Sequence, residues 1–517
     1  MDSGLRRTAL ALATVLALTT PLEAHAASTP AVPIVSDPRD PVVQPFTGHP
    51  AIAQPYAAQS IPRNPQMAAN ELSNIHNDAY QTDAYNVAGP LGRDPKVTST
   101  LFAAECASVT FDRRGRIVTV CVSPIGATLR MLDPKSLATL ASYELPPREP
   151  GTFSFSNFSG GGYFYLDNQD RAVVSTFTGH LFVIAEDGAN GEGFKLVRDV
   201  DISAATGGSG IQSALPDWAG RIWFVTLSGV VGYVTPSNAV RSVRLPNGET
   251  IANSFAMDES GGVFVVSTHA LYRYDVRDAR PSVTWRETYD RGNRVKPGQV
   301  SQGSGTTPTL VGSASSPGGG SIAITDNADP RMNVLVFRRG KAGPGRTPLC
   351  RQPVFPAGKS DDENSLISVP GGLVAENNYG YAGPGPSGAS TRTADTTPGL
   401  VKVAVDYRNG GCHVAWNNTT ARIPTVVSKL SRGSGLIYGY THPSASELPL
   451  TAPLPAALAP DAWFFTAFSA RTGRQVWSQY AGSGLGFNNN YAPVSLGPDG
   501  TAYVGTLGGL LRIADTR

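Results

Sequence analysis

GRIWFVTLSGVVGYVTPSNAVRSVRL, residues 220–245, decides how this chain is read. Stretches rich in β-branched and aromatic residues follow one another, and SG at 228–229 makes a tight hairpin between two of them. Just upstream, ALPDWAG (214–220) supplies another strand and a turn. Its aspartate tolerates turn geometry through its side chain, and its glycine supplies positive φ. The unit is therefore four short strands joined by tight turns.

That unit recurs. VTFDRRGRIVTV (109–120), FYLDNQDRAVVS (164–175), ALPDWAGRIWFV (214–225) and FAMDESGGVFVV (255–266) are four copies. LISVPGGLVAEN (366–377), VSKLSRGSGLIYGY (427–440) and VSLGPDGTAYVG (494–505) are three more, and TLVGSASSPGGGSIAIT (309–325) is a looser eighth. Their second strands begin near Ile117, Val173, Ile222, Val263, Ile322, Leu373, Ile437 and Tyr503. Four-stranded repeats of roughly 40–50 residues, some lengthened by loops, imply an all-β β-propeller. Eight blades are expected, or seven if the looser copy is misread. The last copy lacks an outer strand, and KVTSTLF (96–102) is the expected partner that closes the ring and protects its edge.

The rest of the chain is consistent with an exported protein. Arg6 and Arg7, the apolar run 8–20 and AHA at 24–26 have the form of a secretory signal peptide over residues 1–26. Residues 27–69 are Pro/Ala-rich and expected to be flexible, 70–95 an ordered strap, and 96–517 the propeller. Four cysteines suggest two disulfides: Cys106 with Cys121 across a hairpin and, by elimination, Cys350 with Cys412. Charged residues are 16% of the chain and the net charge is +2, so no nucleic-acid partner is expected. No later segment is long and apolar enough for a membrane anchor, and a monomer in the periplasm or the medium is expected.

Near the C-terminus, SARTGRQVWSQY (469–480) resembles the T-G-x-x-x-W element of pyrroloquinoline quinone (PQQ) repeats, through Thr472, Gly473 and Trp477. GPDGTAYVGTLGGLLRI (497–513) resembles the inner hairpin of the same propellers. The resemblance implies a quinoprotein-like eight-bladed fold. It carries the cofactor less well, because the adjacent cysteine pair of alcohol-oxidising quinoproteins has no counterpart here.

In a four-stranded blade, loops leading into first strands and loops leaving second strands emerge on one face. That face gathers Asn157, Asn253, Thr306, Thr307, Asn364, Asn377 and Asn490 as candidate ligand-binding residues. Asp326, Glu363 and Glu376 are candidate catalytic carboxylates, and Asp326, Asp329 and Glu363 offer the hard oxygens that Ca²⁺ takes. His76, in SNIHNDAYQTDAY (73–85), joins the catalytic candidates if the strap reaches that face. Three function classes stay open. The first is binding of a small molecule, glycan or protein on the polar face. The alternatives are a hydrolase, lyase or isomerase using carboxylates with or without Ca²⁺, and a PQQ-dependent dehydrogenase.

Overall fold

A computed structural model describes residues 28–37, 40–58, 60–149, 151, 157, 159–343, 345, 347–383 and 396–517. The expected signal peptide therefore lies outside the described residues. The structure is an eight-bladed β-propeller, each blade built on four antiparallel strands. Blades 1 to 8 span residues 105–144, 165–201, 211–244, 256–288, 309–353, 367–418, 429–483 and 494–514. The second strands start within one residue of their expected positions, for example Ile222–Thr226 and Leu436–Thr441. The eighth blade takes its outer strand, Lys96–Leu101, from the other end of the propeller sequence, in antiparallel register with Gly509–Ala514. This closes the ring.

The first hairpins share a staple. In blades 1 to 3 the turn aspartate (Asp112, Asp167, Asp217) accepts two backbone N–H bonds on Oδ1. Its Oδ2 takes Nε of the arginine four residues on (Arg116, Arg171, Arg221), each at 2.6 Å. Blade 4 has Gly262 at that place, and Arg339 of blade 5 reaches Asp258 Oδ2 instead, at 3.0 Å. Glycine completes these turns where φ is left-handed, as at Gly220 (+78°).

Both disulfides are present. Cys106–Cys121 links neighbouring strands of blade 1, and Cys350–Cys412 ties the outer strands of blades 5 and 6. They close spans of 15 and 62 residues, so the chain-entropy model gives about 3 and about 4 kcal/mol respectively. Urea unfolding of the two Cys→Ala double variants should show the larger loss for Cys350/Cys412.

The segment before the ring sutures it. Thr29 bridges to Thr139 of blade 1, Val32 O accepts the N–H of Leu101, and Phe46–Gly48 adds a strand outside blade 7. The chain then crosses beneath the disc and enters the channel. An innermost strand is an edge, with backbone N–H groups facing the axis and needing partners. The strap supplies them. Carbonyls of Leu72, Ser73, Ala79, Tyr80, Thr82 and Asp83 accept N–H bonds from Phe111, Leu166, Met257, Leu310, Ser368 and Leu430, at 2.8–3.3 Å. These donors belong to blades 1, 2, 4, 5, 6 and 7. Residues 72–85 are buried throughout and fill the lower mouth, the side of the stapled hairpins.

Candidate functional site

The strap anchors at the centre of the ring. Asp83 and Lys429, both wholly buried, form a direct ion pair, and Lys429 Nζ also donates to Ile75 O at 2.7 Å. His76 Nδ1 lies 2.9 Å from Asp83 Oδ1. Burial alone would raise the Asp83 pKa, but His76 and Lys429 together hold it below the ordinary value. Burial lowers the pKa of His76, so the imidazole is neutral, with Nδ1–H donated to the carboxylate.

Above the strap lies a cavity of about 30 Å³, room for one or two waters. Ile75 and His76 form its floor. Its walls come from the segments that lead into the first strands: Glu105, Tyr163, Asn253, Glu363, Asn364 and Tyr491 among others, contributed by every blade except the third. A bulge at Ala107 in the first strand of blade 1 sets that residue on the wall. Ala107, Tyr163, Val300 and Tyr491 are partly exposed, so the cavity communicates with the upper face. Tyr491 donates to Gly298 O at 2.6 Å, bringing the 290–303 connection over part of the mouth.

Two residues of the lining each carry a buried oxygen without a partner: Glu363 Oε1 and Asn364 Oδ1. Glu363 is 7% exposed, and burial followed by repulsion from Asp361 pushes its pKa well above the carboxylate range. Asn364 cannot turn its amide over, because Nδ2 donates to Thr425 O and Val426 O at 3.1 and 2.9 Å. Glu105 is better satisfied, accepting Asn490 Nδ2 at 3.1 Å, yet burial raises it to about 8.

Of the residues expected on the site, His76, Asn253, Thr307, Glu363 and Asn364 line this cavity. Others do structural work beside it. Asn490 holds Glu105, Asn377 accepts the N–H of Asp361 at 3.3 Å, and Thr306 bonds Ser304 at 2.8 Å. Asn157 accepts from Ser159 N and Oγ within its own turn. Glu376 is wholly buried between blades 6 and 7, accepting Ser428 N and Oγ at 2.9 Å each. Asp326 is consumed by its own turn, binding Asn333 N and Nδ2 and Ala328 N. Glu105, Tyr163, Ser365 and Tyr491 were not anticipated. Glu105 and Tyr163 lead into the first strands of blades 1 and 2, so the same loop rule applied to all eight blades would have included them.

The three residues offered for Ca²⁺ do not come together. Asp326 is committed to backbone and Asn333, and Asp329 is 39% exposed beside Arg294 and Lys296, at 3.9 and 3.8 Å. Glu363 faces the cavity apart from both. No group of three or more His, Cys, Asp or Glu side chains among the described residues is arranged to hold a metal, whereas Ca²⁺ takes 6–8 oxygens. PQQ does not fit either, since pockets for molecules of that size run to about 300 Å³ or more and the strap occupies the axis. Ser365, His76 and Asp83 have the composition of a hydrolytic triad but not its geometry. Ser365 Oγ lies 3.1 and 3.2 Å from the two ring nitrogens, so it is aligned with neither lone pair.

No family model matches the chain. A protein of Archaeoglobus fulgidus described as uncharacterized is 26% identical over 321 residues. The match covers 57% of this chain and 59% of that relative, less than two thirds of its length. Among solved structures, BamB from Moraxella catarrhalis is 12% identical, covering 82% of this chain and 94% of that one, with a TM-score of 0.41. A europium-containing methanol dehydrogenase is 11% identical over 86% and 98%, at 0.49. A streptogramin B lyase is 8% identical over 81% and 97%, at 0.40. Likeness at this level carries no ligand or reaction to this chain. What stands from its own strands is an eight-bladed propeller, closed by an N-terminal strand and filled from below by its own strap.

Proposed function

We propose that the protein is an exported binding propeller that takes its ligand at the upper mouth of the channel. One observation carries the reading: Glu363 lines a cavity whose other side is filled by the strap, and its Oε1 is buried without a partner. Leaving a buried acceptor unsatisfied costs about 1–3 kcal/mol, an expense more natural at a binding site than in a packed core. Export fits the two disulfides, and no helix among the described residues is long and apolar enough to cross a membrane. The catalytic reading gains less support, because Glu376 and Asp326 lie outside the cavity with their oxygens engaged.

Ala107→Leu narrows the mouth from a partly exposed position. A thermal-shift screen with small molecules, glycans and peptides should find ligands that raise the Tm of the wild type by several degrees. Those shifts should vanish in Ala107→Leu. Ligands that stabilise both proteins equally would place binding elsewhere.

A further inference from the structure

We infer that the group received in the central cavity is a primary ammonium, the cationic head of an amine whose carbon chain leaves through the mouth. This rests on the binding reading above and names its ligand class. Asn364 Oδ1 is a fixed acceptor, because its amide cannot turn over to present a donor, and Glu363 Oε1 is a second unpartnered oxygen that accepts once a bound ammonium ionises its carboxyl. The two tyrosine hydroxyls at the cavity already donate elsewhere. Tyr163 OH reaches Asn253 Oδ1 at 3.4 Å, and Tyr491 OH reaches Gly298 O.

No lysine or arginine lines the cavity, while two carboxyl groups do, so the cavity offers an anion no cationic partner and offers a cation two groups that it can ionise. An ammonium has three N–H donors, no acceptor, and the bulk of about one water. It fits a space of about 30 Å³ that excludes a sugar ring or a quaternary ammonium. At the exit, Tyr163 and Tyr491 present aromatic surface that suits a cation and the methylenes behind it.

The test is a set of calorimetric titrations of the full-length mature protein with n-butylammonium, tetramethylammonium, potassium and sorbitol at equal ionic strength. n-Butylammonium should bind at least tenfold more tightly than the other three. Glu363→Gln, which keeps the shape but cannot ionise beside the cation, should weaken it at least tenfold. Ala107→Leu, away from the acceptors, should abolish binding with the fold intact by circular dichroism, covering the case in which Glu363→Gln misfolds. Sorbitol or potassium binding as well as n-butylammonium, and lost in Ala107→Leu, would overturn the ammonium assignment and leave the mouth as the site. Amine binding that survives Ala107→Leu, or no binding by any probe, would overturn the assignment. In the first case it would remove the mouth as the site too.

Discussion

Asp83→Asn is expected to destabilise the folded protein by about 3 kcal/mol, read as a lower urea midpoint with an unchanged m-value. Asparagine tolerates the left-handed backbone at this position (φ 53°) and has nearly the same shape, so the change isolates the charge. It leaves the Lys429 charge, wholly buried, without its ionised partner, held by Ile75 O and a neutral amide oxygen. Removing one member of a buried pair typically costs 3–5 kcal/mol, whereas removing both is often nearly neutral. Lys429→Met alone should therefore cost a similar amount, and the double variant less than either single. Equal and additive losses would mean that the two charges do not act as a pair, and that the strap is held at its centre by something else.

The second large effect is in pH. Burial raises Glu376 to about 8 despite its bonds to Ser428, and raises Glu105 to about 8 despite Asn490. In the unfolded chain a glutamate titrates near 4.3. Between those values the folded state keeps protons that the unfolded state has released, so the stability these groups lend is complete below about pH 4 and disappears as pH rises through 8. Each contributes a slope of roughly 1.4 kcal/mol per pH unit inside the window. His76, lowered by burial, acts oppositely below its ordinary 6.5, so the decline is cleanest between pH 6.5 and 8. Urea midpoints across that range should fall steadily. Glu376→Gln, which can still bond Ser428, should remove about half of the slope attributable to this pair of glutamates. A flat profile in the wild type would show that both carboxyls are ionised in the folded protein and that water reaches them.

Much of the fold was legible because it is local. Turn aspartates and glycines at fixed offsets between β-branched runs mark each hairpin, and even the looser copy at 309–325 forms a regular blade, Thr309–Val311 with Ser321–Thr325. Ring closure by residues 96–101 followed from counting strands. The aspartate–arginine staple was equally local, visible as D-x-x-x-R in three copies, and could have been read from the sequence.

That the expected strap would enter the channel was not legible, for a physical reason. SNIHNDAYQTDAY looks like a solvent-facing loop because its side chains are polar, but its burial depends on its backbone carbonyls meeting N–H groups from six blades. No residue type encodes that. The segments leading into the first strands meet around one cavity, while their division of labour was hidden. Asn364, Asn377, Asn378 and Asn489 spend amide groups tying neighbouring loops together, and of these four only Asn364 is left with a buried oxygen that has no partner. Glu363 and Glu376 are alike in sequence context, each near a strand end. They differ in that Ser428 meets one and a cavity meets the other.

The channel filled from below and open only above is the claim on which the rest depends, and amide hydrogen exchange measures it directly. The N–H groups of Phe111, Leu166, Met257, Leu310, Ser368 and Leu430 should be among the most protected in the protein and exchange together, because one strap covers all six. Exchange at these positions as fast as at exposed outer strands would mean that the strap does not occupy the channel, and the account of the site would fall with it.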